Sequence, residues 1–260
     1  MNTKMVSAIA VFAIATIILI VVLVAFGPLA SGPLRGRGIS SKETFNTTVV
    51  HSPNSNEELR NRESIDAKLR RVATNKKGTE KTPIYIIDNF LTEEECKAVI
   101  DTATDLFTSE LTSNSDDKYF RTSKTADFNG TGIQPTIDQK IYTFMGLPPN
   151  TAETTQIQHY KLKNEFKDHV DAFDMDNDHQ FWKDGQRTWT VMIYLNDVKR
   201  GGTTGFKKLN EECVPKMGRA VIWSSLNKDG SVDQETLHCG TPVLEGEKWI
   251  TTTWFRDTEQ

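Results

Sequence analysis

The chain has 260 residues, of which 37% are hydrophobic and 25% charged, enough for one sizeable folded domain with polar appendages. Its net charge of -4 shows no basic footprint and argues against nucleic acid as a partner. The three cysteines, Cys96, Cys213 and Cys239, are too few and too scattered for a disulfide framework or a zinc knuckle. One bridge with one free thiol stays open.

The N-terminus begins with an uncharged apolar run over residues 5–26. About 20 such residues span a bilayer as a helix, whereas the apolar part of a cleaved signal peptide is usually about 7–15 residues long. Pro28 follows the small-x-small triplet Ala25–Gly27 and disfavours cleavage there. We therefore predict an uncleaved transmembrane signal-anchor over residues 1–30. The flanking charges do not fix its orientation.

A polar segment follows over residues 31–80, with Phe45 as its only aromatic side chain apart from His51. Such a segment buries too little apolar area to offset its ordering entropy, so we predict a flexible polar stem with at most a weak helix over residues 57–72. Asn46 begins an N-glycosylation sequon, and Asn129 begins a second one.

The folded domain is predicted over residues 81–260. An apolar strand at residues 84–87 precedes a capping box formed by Thr92 and Glu95, which starts a helix, and residues 135–145 form a second helix. Short strands separated by glycine-containing turns then follow, at residues 155–160, 187–195, 219–223, 235–239 and 248–255. This order predicts an all-β core with flanking helices, arranged as a sandwich or jelly roll.

Three residues form a candidate metal site. His169 and Asp171 are two residues apart, so on a strand both side chains point to the same face, and His238 would come from another strand. Two imidazoles and one carboxylate hold Fe(II) on one face and leave positions open for a co-substrate and oxygen. A His-x-Asp pair alone is weak evidence, since a hydrogen-bonded surface pair has the same pattern.

Lys248 is the fourth candidate residue. Strand alternation puts Lys248, Ile250, Thr252 and Trp254 on one partly apolar face, where a lysine is unusual without an anionic partner. The competing interpretation is a lysine that protects an edge strand from aggregation. With the metal set, Lys248 suits the far carboxylate of a diacid, as in an iron oxygenase that uses 2-oxoglutarate.

Residues 81–257 resemble the prolyl 4-hydroxylases, which are 2-oxoglutarate- and Fe(II)-dependent dioxygenases. The resemblance rests on an ordered set of motifs: Arg121-Thr122-Ser123, Tyr160 nine residues before His169, Arg187 with Thr190-Val191, Tyr194-Leu195-Asn196-Asp197, Gly201-Gly202-x-Thr204-x-Phe206, Val214-Pro215-Lys216-x-Gly218, Leu237-His238 and Pro242-Val243-x-x-Gly246-Glu247-Lys248-Trp249.

The resemblance implies a double-stranded β-helix (jelly roll) and an activity of the procollagen-proline 4-dioxygenase type. It places Fe(II) on His169, Asp171 and His238. It places 2-oxoglutarate on Lys248, Tyr160 and Thr204, with ascorbate keeping the iron reduced. The proline-rich peptide is expected near the remaining candidates, which are Arg121, Ser123, Glu153, Arg187 and Trp254. The short, anchored form implies a single-pass protein of the endoplasmic reticulum or Golgi membrane with a lumenal catalytic domain.

Two departures from the family pattern concern the substrate. Lys163-Asn164 stand where the family often has glycine, and Phe166 stands where it often has tyrosine, which removes a hydroxyl near the substrate channel. Phe166 and the acidic segment 174–178 keep open a 2-oxoglutarate hydroxylase with a different target. A non-catalytic binding module on the same fold is the other alternative, although the four intact site residues argue against it. No motif in the sequence identifies the natural substrate or the oligomeric state.

Overall fold

The computed structural model describes residues 56–106, 120–129, 132–174 and 185–257, which belong to one compact unit. Three helices are α1 (Asn56–Val72), α2 (Glu93–Leu106) and α3 (Gln134–Met145). The strands are β1 (Asn75–Gly78), β2 (Pro83–Ile87), β3 (Lys124–Asp127), β4 (Gln156–Tyr160), β5 (Phe166–His169), β6 (Arg187–Tyr194), β7 (Arg200–Gly201), β8 (Thr204–Phe206), β9 (Glu211–Cys213), β10 (Ala220–Ser224), β11 (His238–Gly240), β12 (Val243–Glu245) and β13 (Lys248–Arg256).

The larger sheet has seven strands in the order β1-β2-β10-β6-β13-β4-β3, and every pairing in it is antiparallel. Strand β13, which lies between β6 and β4, is buried along its whole length. Both faces of the sheet are therefore covered, which explains why β6 and β13 lack the apolar-polar alternation of a strand with one face in water.

A smaller sheet, in the order β5-β11-β8-β9, covers one face of the larger sheet, and β7 and β12 form a two-stranded ribbon. Phe206 and Cys213 of the smaller sheet pack in one apolar cluster with Ile84, Met192 and Trp223 of the larger one. The core is thus a mostly β structure of two packed sheets with few helices, as a jelly roll requires.

The helices cover the opposite face of the larger sheet. Successive residues of β2 divide between the two faces, so that Ile84 packs towards the smaller sheet and Tyr85 packs with the helices. The predicted capping box is present: the backbone N–H of Thr92 donates to Glu95 Oε2 at 2.8 Å, and the N–H of Glu95 donates to Thr92 Oγ1 at 3.2 Å. Helix α2 therefore begins where the sequence predicts it.

The described part of the predicted stem does not behave as a flexible segment. Helix α1 buries Ile65 and Leu69 in the core, and β1 pairs with β2 in the larger sheet. The prediction of a stem was wrong for residues 56–80 because two well-placed apolar side chains and one edge strand suffice to attach an otherwise polar segment. The packed domain thus begins before residue 81.

No helix in the described ranges is long and apolar enough to span a bilayer. The predicted anchor over residues 1–30 and the sequon at Asn46 lie outside these ranges. All three cysteines are buried free thiols, so the single bridge that the sequence left open is not formed.

Candidate active site

The three predicted metal-binding residues converge at the junction of β5 and β11. His169 ends β5 and lies opposite His238, the first residue of β11. His169 Nε2 is 3.9 Å from Asp171 Oδ1, and His238 Nε2 is 3.8 Å from Asp171 Oδ2. Within the described ranges this is the one group of His, Cys, Asp and Glu side chains arranged to share a metal ion.

Asp171 reaches this group from outside the strand, contrary to the prediction that it shares a strand with His169. Strand β5 ends at His169, and Asp171 lies in the bend that follows. The two-residue spacing still brings both side chains to the same point, but the aspartate depends on contacts other than a strand ladder for its position.

Both imidazoles are fixed in the form that binds a metal. His169 Nδ1 lies 2.8 Å from the carbonyl oxygen of Lys167, and His238 Nδ1 lies 2.9 Å from that of Thr236. A carbonyl only accepts hydrogen bonds, so each Nδ1 carries a proton, and each Nε2, the ring nitrogen left to bind a metal, faces Asp171. Burial, with His238 adding to it, lowers the pKa of His169 to about 3, which keeps this imidazole neutral.

Asp171 is held at its side chain and at its backbone. Thr190 Oγ1 donates to Asp171 Oδ2 at 2.7 Å, and the Arg187 guanidinium lies 3.4 Å from the Asp171 carbonyl oxygen. Burial alone would raise the pKa of this carboxyl, but His238, His169 and Arg187 together lower it. Two imidazoles and one carboxylate on one side of an open space are a ligand set that fits Fe(II).

The open space is a cavity with about 370 Å³ of empty space, counting the solvent at its mouth. Its walls come from both sheets. Its lining residues are Gln158, Tyr160, Phe166, His169, Asp171, Thr190, Met192, Thr204, Trp223, His238, Gly240, Lys248, Ile250 and Thr252. The metal set and Lys248 therefore face the same cavity.

Lys248 is fully buried and has no carboxylate partner within the described ranges. Its Nζ lies 3.9 Å from the ring centre of Tyr160, its partner across the β13–β4 pairing. A Cβ on Gly240 would lie 3.2 Å from this Nζ, so glycine there leaves the ammonium its room. Burial lowers the pKa of Lys248 to about 7. A buried cation without an anion fits the far carboxylate of 2-oxoglutarate.

Tyr160 and Thr204, the other candidate co-substrate residues, also line the cavity. Tyr160 donates to Gln158 Oε1 at 2.9 Å. Tyr194 donates to the Cys213 carbonyl at 2.9 Å, so the Thr204 hydroxyl, 2.6 Å from the Tyr194 oxygen, donates to Tyr194. A hydrogen bond from Thr204 to a bound carboxylate therefore requires the Thr204 hydroxyl to rotate away from Tyr194.

The five candidate peptide residues lie beside the cavity rather than in its lining. Arg121 contacts Ser123, with 3.2 Å between Nε and Oγ, and its guanidinium lies over the Phe166 ring at 4.8 Å. Glu153 forms two 2.6 Å bonds with Arg187, whose guanidinium lies over Trp254 at 4.0 Å. The structure thus forms two small clusters from these residues.

Several lining residues were not predicted as site residues, although strand alternation points to them. Counting by two from Tyr160 along β4 reaches Gln158, and counting by two from Lys248 along β13 reaches Ile250 and Thr252, which the sequence already placed on the lysine face. Trp223 had no such signal, because it enters from β10 and only the pairing of the sheets brings it to within 4.9 Å of the His238 ring centre.

The two departures from the family pattern have structural counterparts. Lys163 has a φ of 67°, the left-handed conformation in which glycine costs least, so the chain makes the same turn with a strained residue. Phe166 stacks on His169, with ring centres 3.7 Å apart, and no hydroxyl from this position reaches the cavity. Cys239 is buried next to the ligand His238 and faces Gly205 across the strand pairing, as a packing residue would.

Comparison with known proteins agrees with this geometry. The family profile described as "2OG-Fe(II) oxygenase superfamily" matches residues 155–256. "Probable prolyl 4-hydroxylase 10" of Arabidopsis thaliana is 33% identical over 264 aligned residues, which cover 91% of this chain and 87% of that protein. The chain belongs to the prolyl 4-hydroxylase family. It is a 2-oxoglutarate- and Fe(II)-dependent dioxygenase of the prolyl hydroxylase type.

Two further relatives of this prolyl 4-hydroxylase cover most of the folded domain. "Prolyl 4-hydroxylase 13" of Arabidopsis thaliana is 31% identical and covers 67% of this chain and 71% of its own. The crystal structure of the viral collagen prolyl hydroxylase of Paramecium bursaria Chlorella virus-1, in its 2-oxoglutarate complex, superposes with a TM-score of 0.55 and 26% identity. That match covers 66% of this chain and 95% of the viral one.

Proposed function

We propose that the protein hydroxylates peptidyl proline to 4-hydroxyproline and converts 2-oxoglutarate to succinate and carbon dioxide in the same turnover. One observation carries the proposal. The cavity is lined by the set of His169, Asp171 and His238 and by Lys248, which has no carboxylate partner among the residues that the structure describes. A metal that takes oxygen and a cation that takes a diacid are the two components that this reaction needs. The names of the relatives support proline as the target.

The side chains have distinct roles in this proposal. Bound Fe(II) would supply oxygen activation, a chemistry for which the protein has no side chain of its own. His169, Asp171 and His238 would hold the ion, and the Lys248 ammonium would pair with the far carboxylate of 2-oxoglutarate. Phe166, Met192, Trp223 and Ile250, the apolar side chains of the lining, would limit the access of water to the site. Because bound Fe(II) would supply this chemistry, no protein nucleophile or general base is required.

Tyr160 and Thr204 would complete the co-substrate pocket. Tyr160 lies under the Lys248 ammonium and has its hydroxyl on Gln158, so it restricts where a carboxylate can sit. Thr204 would contribute once its hydroxyl leaves Tyr194. Ascorbate is proposed as the reductant that restores Fe(II) after uncoupled turnovers.

The peptide would bind across the mouth of the cavity, beside the two clusters formed by Arg121 with Ser123 and by Glu153, Arg187 and Trp254. Glu153 neutralises part of the charge of Arg187 and also accepts from Arg256 Nε at 2.8 Å. The second cluster therefore presents a rigid, hydrogen-bonding surface next to the indole of Trp254.

A membrane-anchored enzyme in the lumen of the endoplasmic reticulum or Golgi is the proposed setting. The support is the apolar run at residues 5–26, the sequons at Asn46 and Asn129, and the proline-rich secretory proteins on which enzymes of this resemblance act. Glycosidase-sensitive mass on the expressed full chain, lost in a variant that carries both Asn46→Gln and Asn129→Gln, would support the lumenal side. Full extraction by alkaline carbonate would contradict the membrane anchor.

The activity is tested with the full chain, Fe(II), 2-oxoglutarate, ascorbate and a poly-proline peptide. Succinate release and one added oxygen per modified proline, detected by mass spectrometry, are expected. His169→Ala should abolish both. His159→Gln is the matched control, because His159 stacks on Trp249 at 3.8 Å and does not line the cavity.

Each negative result selects a different alternative. Succinate without oxygen on proline would indicate a hydroxylase of another target, in keeping with Phe166. No succinate under any condition, uncoupled turnover included, would refute the enzyme and leave a non-catalytic binding module. Full activity of the His169→Ala variant would refute the metal assignment.

A further inference from the structure

The backbone that carries Asp171 leaves the sheet before the aspartate is reached, and one side chain takes the place of the missing strand. Two residues after Asp171, the N–H of Phe173 donates to Gln186 Oε1 at 2.8 Å. The Phe173 carbonyl accepts from Gln186 Nε2 at 2.9 Å. A single amide thus satisfies both backbone groups of a buried residue, as a neighbouring strand would.

Gln186 is itself firmly held. Its backbone N–H donates to Asp257 Oδ1 at 2.8 Å, and its carbonyl accepts from the N–H of Asp257 at 3.0 Å. Its Oε1 also accepts from the N–H of Arg187 at 2.9 Å. The side chain is 94% buried, at 6% exposure. Its amide therefore has one available orientation, and that orientation faces Phe173.

The Phe173 ring is fixed by the same region. The guanidinium carbons of Arg187 and Arg256 lie 4.7 and 4.8 Å from its centre, and both arginines bond to Glu153. Phe173 is thus held at its backbone by Gln186 and at its ring by two cations. The chain between Phe173 and the metal ligand is only two residues long, which limits how far Asp171 can move.

We propose that Gln186 is a positioning residue for the iron ligand Asp171. The next residue, Arg187, contacts the Asp171 carbonyl, and Thr190 donates a hydrogen bond to the Asp171 carboxylate. The segment from Gln186 to Thr190 therefore fixes Asp171 at its carboxylate, at its carbonyl and through the chain two residues further on. The inference rests on the proposed function only in taking Asp171 as a metal ligand, and it requires no particular peptide substrate.

The test is a metal affinity measured on the full chain, without turnover. Gln186→Leu removes both hydrogen bonds to Phe173 at similar volume, and Gln186→Glu keeps the acceptor for the Phe173 N–H while setting a carboxylate against its carbonyl. Loss of a group that orients a metal ligand typically weakens metal binding by about 10–100-fold. We expect the Kd for Co(II), measured by competition with a chromogenic chelator, to rise about tenfold in both variants.

Two further readouts separate positioning from general loss of stability. In a working enzyme, the Fe(II) concentration for half-maximal activity should rise while the KM for 2-oxoglutarate at saturating Fe(II) stays constant. The visible spectrum of bound Co(II) should also change, because a loosely held carboxylate alters the coordination geometry. The Gln186→Glu variant keeps the test decisive if Gln186→Leu does not fold.

Val99→Ala is the matched control, because Val99 is fully buried in α2 on the helical side of the core and destabilises the fold without touching the site. The inference is refuted if Gln186→Glu and Val99→Ala lower the melting temperature equally and both keep the Co(II) affinity of the parent chain. An inactive parent chain that still shows the Gln186 effect on Co(II) would overturn the proposed function and leave the positioning role in place.

Discussion

Replacing Lys248 with methionine should stabilise the protein without ligands and at the same time weaken 2-oxoglutarate binding. Burial lowers the pKa of Lys248 from 10.5 to about 7. At about 1.4 kcal/mol for each tenfold change in proton affinity, this corresponds to at most roughly 5 kcal/mol of destabilisation. Because the folded pKa lies below the unfolded one, the destabilisation is complete below pH 7 and disappears as the pH rises towards 10.5.

Protein relaxation reduces this figure, and replacement of buried ions by apolar residues of similar volume has stabilised other proteins by about 1–4 kcal/mol. Lys248→Met should therefore raise the melting temperature of the metal-free protein by several degrees at pH 7. The gain should shrink at pH 9. Differential scanning calorimetry at the two pH values measures both effects.

Co-substrate binding should respond in the opposite direction. Removing one partner of a buried charge pair costs about 2–5 kcal/mol, or roughly 30- to several thousand-fold in affinity. Calorimetric titration of the Co(II)-loaded protein with 2-oxoglutarate should show this loss for Lys248→Met. The parent chain should bind 2-oxoglutarate more weakly as the pH rises above 7, since the ammonium loses its proton, and the variant should lack this dependence. Equal affinity of variant and parent would refute the role of Lys248.

Three further substitutions test other parts of the structure. Thr190→Val should weaken Co(II) binding about tenfold, because Asp171 Oδ2 loses its hydrogen-bond donor. Thr188→Val is the control on the same strand, because the Thr188 hydroxyl donates to the Phe255 carbonyl, and it should leave Co(II) binding unchanged. Equal chelator-competition curves for the two variants would contradict the role of Thr190. Leu69→Ala should cost about 2–5 kcal/mol in urea unfolding, and a loss no larger than that of the half-exposed Val72→Ala would show that α1 does not support the domain. Lys163→Gly should stabilise by about 0.5–1 kcal/mol by relieving a left-handed backbone, and a lowered urea midpoint would argue against strain there.

The sequence predicted the four site residues more completely than it predicted the strands around them. The sequence analysis identified a set of four residues, His169, Asp171, His238 and Lys248. In the structure the ligand atoms of the first three lie within 4.8 Å of one another, and Lys248 lines the same cavity. Residue types carry this information, because few side chains bind iron or pair with a carboxylate. Strands such as β7 and β9 were missed because two or three residues are too few for a periodic pattern.

Helix α1 shows a second limit of sequence reasoning. Its composition is polar, and the apolar area of Ile65 and Leu69 is small beside the 17 residues of the helix. Whether such a helix packs depends on whether a matching groove exists elsewhere in the fold, here beside Tyr85 of β2. That information lies in the tertiary structure, so a local measure of hydrophobicity underestimates the length of the folded domain.

The residues that act through Asp171 could not have been predicted from their own neighbourhood, and the reason is structural. Lys248 and Tyr160 lie on the paired strands β13 and β4, and both imidazoles lie at strand ends, so strand alternation and pairing place them. Asp171 lies beyond the end of β5, where no ladder continues. Its geometry must come from side chains, and those of Gln186, Arg187 and Thr190 are 15 to 19 positions away along the chain. Because no strand ladder fixes Asp171, its position depends on side chains from another part of the chain. Gln186, just before β6, and Arg187 and Thr190, within β6, provide these contacts.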